Sequence, residues 1–291
     1  MSAPITCAQI FREAVTQLRS AGVSNAVNEA MWILEHTIGL TRKMVHVSPD
    51  QIVSEADQKQ ARKLLERRAA GEPIQYLLGT QEFWGLEFMV PRGVLIPRPD
   101  SELLIHTVIP YVNELSNPWL VDVGTGTGCL AVALGRELPG AKILVTDRSL
   151  FAVQTAKCNA IRHQVVQRME FYVGDLLSPL LSRMLAGKVA GIVANLPYIG
   201  QEEWNQLPRE VRQFEPRLAL DGGSDGLVPH RHLLSQAKSF LMPQGVVVLE
   251  VGVGQAPKLC QEVRALGTYH VQEIRRDALG IERAICLKLK T

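Results

Sequence analysis

The sequence of 291 residues is poor in cysteine, with five in all. Cys7, Cys129, Cys158, Cys260 and Cys286 are scattered, odd in number and form no C-x-x-C pair. That pattern excludes a disulfide framework or a zinc finger and fits a reducing compartment. The seven histidines show no ligand spacing, so no metal site is expected. Charge of one sign is also lacking: 31 Lys and Arg stand against 29 Asp and Glu, a formal net charge of +2. A strongly basic nucleic-acid coat is excluded, though a local basic patch is not. The longest apolar run, from Gly245 to Gly254, is short and holds Glu250, so it cannot span a bilayer. The first apolar segment meets Arg12 and Glu13 at once and has no arginine before them. Neither a secretory signal nor a transit peptide is expected, and the expected location is cytoplasmic. Repeats and low-complexity tracts are absent. Apolar residues make up 46% and charged residues 21%, an ordinary globular composition with length for roughly two domains.

The chain changes texture twice. Ile10, Phe11, Ala14, Val15 and Leu18 recur at helical spacing, as do Val27, Ala30, Met31, Leu34 and Ile38 after Ser24, a candidate cap. Ser54 with Asp57 resembles a capping box ahead of Ala61, Leu64 and Leu65. Residues 1–75 therefore predict a small helical bundle. Over 76–99, Phe83, Trp84, Phe88, Val90, Val94, Leu95 and Ile96 are broken by Gly79, Gly85, Pro91 and Gly93, which predicts a β-hairpin linker. A helix follows, capped by Asp100 or Ser101. Over 100–291, short apolar strands alternate with helical stretches. Strands are expected at 119–123, 143–146, 170–173, 191–194, 246–250, 269–274 and 284–289. Alternation of this kind predicts an α/β fold with a mostly parallel sheet covered on both faces. The last two strands lie too close for an intervening helix and should pair antiparallel.

The strongest local signal is Val121-Asp122-Val123-Gly124-Thr125-Gly126-Thr127-Gly128, between a strand and a helix. Glycines there let the backbone turn tightly and approach a ligand. Gly124, Gly126 and Gly128 give G-x-G-x-G. The dinucleotide fingerprint places its third glycine where Cys129 stands, which disfavours a nicotinamide cofactor, and no phosphate-binding G-x-x-x-x-G-K-[ST] occurs. Asp147 ends the next strand, where a carboxylate can accept both hydroxyls of a ribose. Asp175, with Leu176 beside it, follows the third strand and could border an adenine. A glycine loop followed by acids at successive strand ends fits the crevice rule for open sheets. Together these residues resemble the S-adenosylmethionine-dependent methyltransferases. That resemblance implies that Gly124, Thr125, Gly126, Thr127, Gly128, Asp147, Asp175, Leu176 and Asn195 hold S-adenosylmethionine and its product S-adenosylhomocysteine.

The fourth strand ends at Asn195-Leu196-Pro197-Tyr198, similar to the Asn-Pro-Pro-Tyr signature of methyltransferases acting on planar nitrogen. Such a nitrogen is a poor nucleophile because its lone pair is delocalised. The Asn195 side-chain oxygen and the Leu196 carbonyl could grip its two N–H bonds, with Tyr198 against the planar group. No metal or covalent intermediate is needed; positioning and electrostatics suffice.

Three longer stretches carry a closer resemblance: Gly71-Glu72-Pro73-Ile74-Gln75-Tyr76-Leu77-Leu78-Gly79, Phe83-Trp84-Gly85, and Val94-Leu95-Ile96-Pro97-Arg98-Pro99-Asp100-Ser101-Glu102. With Phe214 to Leu220 and Leu249-Glu250-Val251-Gly252, they resemble the release factor glutamine methyltransferases, the HemK/PrmC family, over nearly the whole chain. The resemblance implies a Rossmann-like seven-stranded methyltransferase domain preceded by a bundle that helps hold the release factor. It also implies methyl transfer to the glutamine of the Gly-Gly-Gln motif in peptide chain release factors, with Asn195, Leu196, Pro197 and Tyr198 as the catalytic set. A monomer without a stable nucleic-acid partner is expected. The chain departs from the family pattern at Leu196, where a proline is usual. The carbonyl at 196 survives the change and Pro197 still favours an extended residue before it. Asn-Leu-Pro-Tyr is also similar to the tetrapeptide of rRNA adenine dimethyltransferases, so the alternative is an adenine-N6 methyltransferase acting on RNA or DNA. A non-enzymatic S-adenosylmethionine-binding scaffold is a third reading, against which the intact tetrapeptide stands.

Among the remaining features, Lys59, Arg62, Lys63, Arg67 and Arg68 read as a solvated helix face. Phe83 and Trp84 read as hairpin core, and Glu215 and Arg217 as internally paired. Asp221-Gly222-Gly223 and Asp225-Gly226 read as turns near the site.

Overall fold

A computed structural model describes residues 4–290. The outermost positions of the two expected domains, 1–3 and 291, lie outside the described residues. The chain forms two compact units, Met1–Thr80 with Pro208–Phe214, and Gln81–Leu207 with Glu215–Thr291.

The first unit contains α1 (Cys7–Ser20), α2 (Ala26–Ile38), α3 (Arg42–Val47), α4 (Glu55–Ala69) and α5 (Ile74–Leu78). Thr6 and Gln9 form a reciprocal capping box at the start of α1. Ile10, Ala14, Val15 and Leu18 bury one face of α1 against Ala30, Met31 and Leu34 of α2 and Ala61 and Leu65 of α4. Val27, expected on that face, is exposed. Asn25 stands at the cap of α2, not Ser24, and makes no side-chain capping bond. Lys59, Arg62 and Lys63 of the basic run are exposed as expected, but Arg67 and Arg68 depart from the solvated face. Arg68 is 8% exposed and pairs with Glu29 and, at 3.1 Å, with Glu210, while Arg67 pairs with Glu72 at 2.7 Å. The guanidinium fork suits such multiple partners, and burial leaves it no water to replace them.

Next come β1 (Thr80–Phe83) and β2 (Leu86–Met89), which belong to the second unit from Gln81 on. They are joined by Trp84 and Gly85, both at positive φ, as a two-residue hairpin turn that follows strand twist requires. Trp84 is held there by its backbone N–H to Glu102 and its indole N–H to Glu137, each at 2.7 Å. The hairpin is shorter than the expected span of 76–99, because residues 76–78 complete α5 and no strand forms after β2 before residue 99. The order then runs α6 (Glu102–Val112), β3 (Trp119–Val123), α7 (Cys129–Glu137), β4 (Lys142–Asp147), α8 (Leu150–Arg162), β5 (Met169–Val173) and β6 (Val189–Ala194). After α9 (Arg209–Phe214), counted with the helical unit, come α10 (Val228–Ala237), β7 (Leu241–Glu250), α11 (Gln255–Leu266), β8 (Tyr269–Arg276) and β9 (Glu282–Leu289).

The seven-stranded sheet has the order β5-β4-β3-β6-β7-β9-β8. Every pairing from β5 to β7 is parallel, whereas β9 is antiparallel to both β7 and β8. One face is covered by α6, α7, α8 and the hairpin phenylalanines Phe83 and Phe88, the other by α10 and α11. Burial on both faces explains why β6 reads as a continuous apolar run and why β3, apart from Asp122, shows no polar alternation.

Candidate active site

The sheet register assembles the site. Val123 pairs with Thr146 of β4 and with Ala194 of β6, so Gly124, Asp147 and Asn195 leave three neighbouring strand ends side by side. Asp147 in turn pairs with Val173, which brings Gly174 and Asp175 to the same edge. The strand order reverses at β3, where open sheets of this kind open a crevice. A cavity of about 720 Å³ lies there, in the size range of small-molecule sites. Gly124, Thr125, Gly126, Thr127, Asp147, Asp175, Leu176, Asn195, Leu196 and Pro197 all line it.

Hydrogen bonds fix the glycine loop. The backbone N–H groups of Gly124 and Thr125 donate to Thr146 O at 2.9 and 3.1 Å. Gly126 N–H donates to Asp147 Oδ2 at 3.0 Å, and Ser149 N–H to Asp147 Oδ1 at 2.8 Å. Each carboxylate oxygen of Asp147 keeps a second lone pair for a further donor. Burial raises the pKa of Asp147, and the bonds from Ser149 and Gly126 oppose that rise. Below the loop, Asp122 Oδ2 accepts from Thr125 Oγ1 at 2.6 Å and from Ala131 N–H at 3.2 Å. Its Oδ1 has no partner, and burial pushes its pKa up to about 7. Gly128 stands at the start of α7 with positive φ, and a Cβ there would lie 2.8 Å from that of Ala156. Gly128 thus serves helix packing and is absent from the cavity lining, unlike the other two glycines. Asn159 was not expected in the site. Its Nδ2 donates to Thr127 O at 2.8 Å and to Met89 O at 3.1 Å, while its Oδ1 accepts from Met89 N–H. Cys129 is buried, which pushes its thiol up to about 12 and leaves no nucleophile there.

The tetrapeptide is braced from below. Asn195 Nδ2 donates to Ser101 Oγ at 2.9 Å, and Ser101 Oγ donates to Glu250 Oε2. Ser101 stands at the N-cap position of α6, as the sequence suggested, but makes no side-chain capping bond; its hydroxyl is drawn to the buried carboxylate. Among the described residues none donates to Asn195 Oδ1 or to the Leu196 carbonyl, so two acceptors beside the cavity are free. The Leu196 side chain is 3% exposed and belongs to the apolar core. Its Cδ2 would lie 3.3 Å from a Cβ placed on Gly124, so it fills the space under the glycine loop.

Tyr198 differs from the other three. It is not among the residues lining the cavity, and its phenol donates to Glu250 Oε1 at 3.2 Å. Burial raises the pKa of that phenol, as does the adjacent Glu250. Close approach of Gly222, whose Cβ would come within 2.7 Å of Tyr198 Cα, holds the backbone from the other side. Gln255 completes the brace, donating from Nε2 to Tyr198 O at 2.7 Å and accepting from Gly252 N–H at 2.9 Å. Glu250 itself is buried, which pushes its pKa up to about 7. Its single carboxylate in an otherwise apolar run, within the stretch Leu249-Glu250-Val251-Gly252 already singled out, was the signal that marked it.

Asp175 is half exposed and faces Arg148 at 3.6 Å. Glu215 does not pair with Arg217. It takes the Ile96 N–H at 3.2 Å and the guanidinium of Arg98, while Arg217 bonds Asp221 at 3.3 Å and lies over Trp204. Arg98, Ser101, Arg217 and Leu218 also line the cavity. Among the described residues no group of three or more His, Cys, Asp or Glu could hold a metal ion, and no helix is long and apolar enough to cross a membrane.

Two family models match the chain. Residues 9–79 match the PrmC N-terminal domain and residues 99–236 the methyltransferase small domain. A release factor glutamine methyltransferase of Nitratidesulfovibrio vulgaris is 38% identical over 278 residues, covering 95% of this chain and 92% of that one. Another, from Moorella thermoacetica, is 37% identical over 279 residues, covering 96% and 97%. Among solved structures, a methyltransferase from Pyrococcus furiosus superposes with a TM-score of 0.54 at 16% identity, covering 79% of this chain and 98% of that one, a likeness of fold alone.

Proposed function

The chain belongs to the release factor glutamine methyltransferase family, and from that premise we propose that it methylates the side-chain amide nitrogen of the glutamine in the Gly-Gly-Gln motif of peptide chain release factors. The methyl donor is S-adenosylmethionine, whose sulfonium supplies an already activated methyl group. The cavity fits that donor. Gly124 and Gly126 bring bare backbone to its wall, Asp147 offers unused lone pairs for ribose hydroxyls, and Leu176 gives an apolar surface beside Asp175.

The observation that carries the reading is the pair of free acceptors at Asn195 Oδ1 and Leu196 O, next to the glycine loop. A primary amide offers two N–H bonds in one plane. Two fixed acceptors align the nitrogen for in-line transfer, and the entropy of that alignment is met in advance by Ser101, Glu250 and Gln255. Pro197 lines the cavity, while Tyr198 supports the tetrapeptide from beneath and is not a platform for the planar group. Leu196 preserves the acceptor because the interaction uses its backbone. The helical unit helps hold the release factor, and the protein acts as a cytoplasmic monomer without a stable nucleic-acid partner.

The test is transfer from labelled S-adenosylmethionine to purified release factor, beside a Gly-Gly-Gln substrate carrying Gln→Ala and a structured RNA. Label on the intact release factor alone is expected. Label on RNA with none on protein would overturn the reading in favour of adenine methylation.

A further inference from the structure

Glu250 is the last residue of β7, in a stretch where every residue from Gly245 on is buried. It is 1% exposed and is not itself among the residues lining the cavity. Its two oxygens take the Ser101 hydroxyl and the Tyr198 phenol. Ser101 in turn lies 2.9 Å from Asn195 Nδ2.

This chain of bonds has a direction. A serine hydroxyl has one proton to give. The ionised carboxylate can only accept, so Ser101 donates to Glu250. Toward Asn195 the Ser101 oxygen can then only accept. Asn195 must present its NH2 group to Ser101, and its Oδ1 is left for the cavity. Shape alone does not make that choice, because the two ends of an asparagine amide are nearly the same size and the assignment rests on the hydrogen-bond network. We propose that Glu250 is a positioning residue that acts through Ser101 to set the hydrogen-bond polarity of Asn195, holding an acceptor and not a donor toward the amide to be methylated. With the amide reversed, two N–H groups would face each other and the substrate would lose one of its two acceptors. The inference rests on the glutamine reading only for what Oδ1 accepts from; the polarity belongs to the chain itself.

Glu250→Gln tests this because it keeps the shape and changes only the protons. With its oxygen facing the Tyr198 phenol, the new amide turns its NH2 toward Ser101. Ser101 then accepts there and donates to Asn195, which reverses the asparagine. At about pH 8, above the value to which burial pushes the Glu250 carboxyl, kcat on release factor is expected to fall roughly ten- to a hundred-fold. Affinity for S-adenosylhomocysteine should stay within about two-fold, since a lost acceptor for the substrate amide leaves the donor site intact. Ser101→Ala should lose a similar factor, and Ser101→Thr, which keeps the hydroxyl, should recover most of it. A second readout needs no substrate: exchange of the Asn195 side-chain NH2 protons, assigned by their disappearance in Asn195→Ala. Exchange should be slow in the wild type and Ser101→Thr, and faster in Glu250→Gln and Ser101→Ala. Unchanged exchange together with unchanged kcat in Glu250→Gln would overturn the proposal. If the wild type leaves release factor unmethylated while the exchange pattern holds, the substrate reading fails and the polarity stands.

Discussion

Alanine at Gly128 and alanine at Gly126 should damage the protein in different ways. Both glycines have positive φ, +80° and +56°, where a Cβ costs about 1–2 kcal/mol. At Gly128 the new Cβ would also lie 2.8 Å from Ala156 Cβ and 2.9 Å from its Cα, inside the contact of α7 with α8. Neither neighbour is a flexible side-chain end, so the helices must separate, which adds about 1–3 kcal/mol of overpacking. Gly128→Ala should therefore lose roughly 2–5 kcal/mol of unfolding free energy in total. At Gly126 the added methyl meets nothing within 4 Å, so only the backbone cost remains. Gly126 lines the cavity, however, and the methyl group enters space assigned to the donor. Urea unfolding of both variants, with calorimetric titration of S-adenosylhomocysteine into each, separates the two effects. Gly126→Ala should stay within about 2 kcal/mol of wild-type stability and bind the ligand at least about tenfold more weakly. Wild-type affinity in Gly126→Ala would refute the cofactor assignment. Equal stability of the two variants would refute the packing argument at Gly128.

Asn195→Ala should abolish turnover while S-adenosylhomocysteine affinity, read by calorimetry, stays near normal; equal loss of both would contradict its role on the substrate side. Asp122 has a folded-state pKa of about 7, above its unfolded value, so its contribution to stability is complete below about pH 4 and is lost as pH rises through about 7. Asp122→Asn can keep both bonds on one oxygen and place its NH2 at the unpartnered position. The fall in unfolding free energy between about pH 5 and 8 should shrink by up to about 2.5 kcal/mol in that variant, and identical slopes would contradict the burial argument. Arg68→Met should leave Glu29 buried without its cation and cost the helical unit about 3–5 kcal/mol, measured by hydrogen exchange in α2 and α4.

The sequence made the sheet legible because its strands are buried on both faces and read as short apolar runs between helical stretches. It also made legible those site residues that sit at strand ends: Gly124, Asp147 and Asn195 stand where the apolar runs stop, and the register of β3 with β4 and β6 brings them together. What it hid depends on pairings distant in sequence. Ser101 looked like a helix cap because local rules favour one there, but its partner Glu250 lies 149 residues away. Arg68 looked like one more surface cation until Glu29 and Glu210 met it. Asn159, inside α8, gave no local sign that it would tie the hairpin to the glycine loop. Tyr198 belonged to the right tetrapeptide, yet the direction of its ring follows from the buried carboxylate on β7.

The most direct measurement is tandem mass spectrometry of a release factor incubated with this protein and S-adenosylmethionine. The account predicts one added methyl group, placed on the glutamine of the Gly-Gly-Gln motif and absent when Asn195→Ala replaces the wild type. An unmodified glutamine, or a methyl group on any other residue, would contradict it.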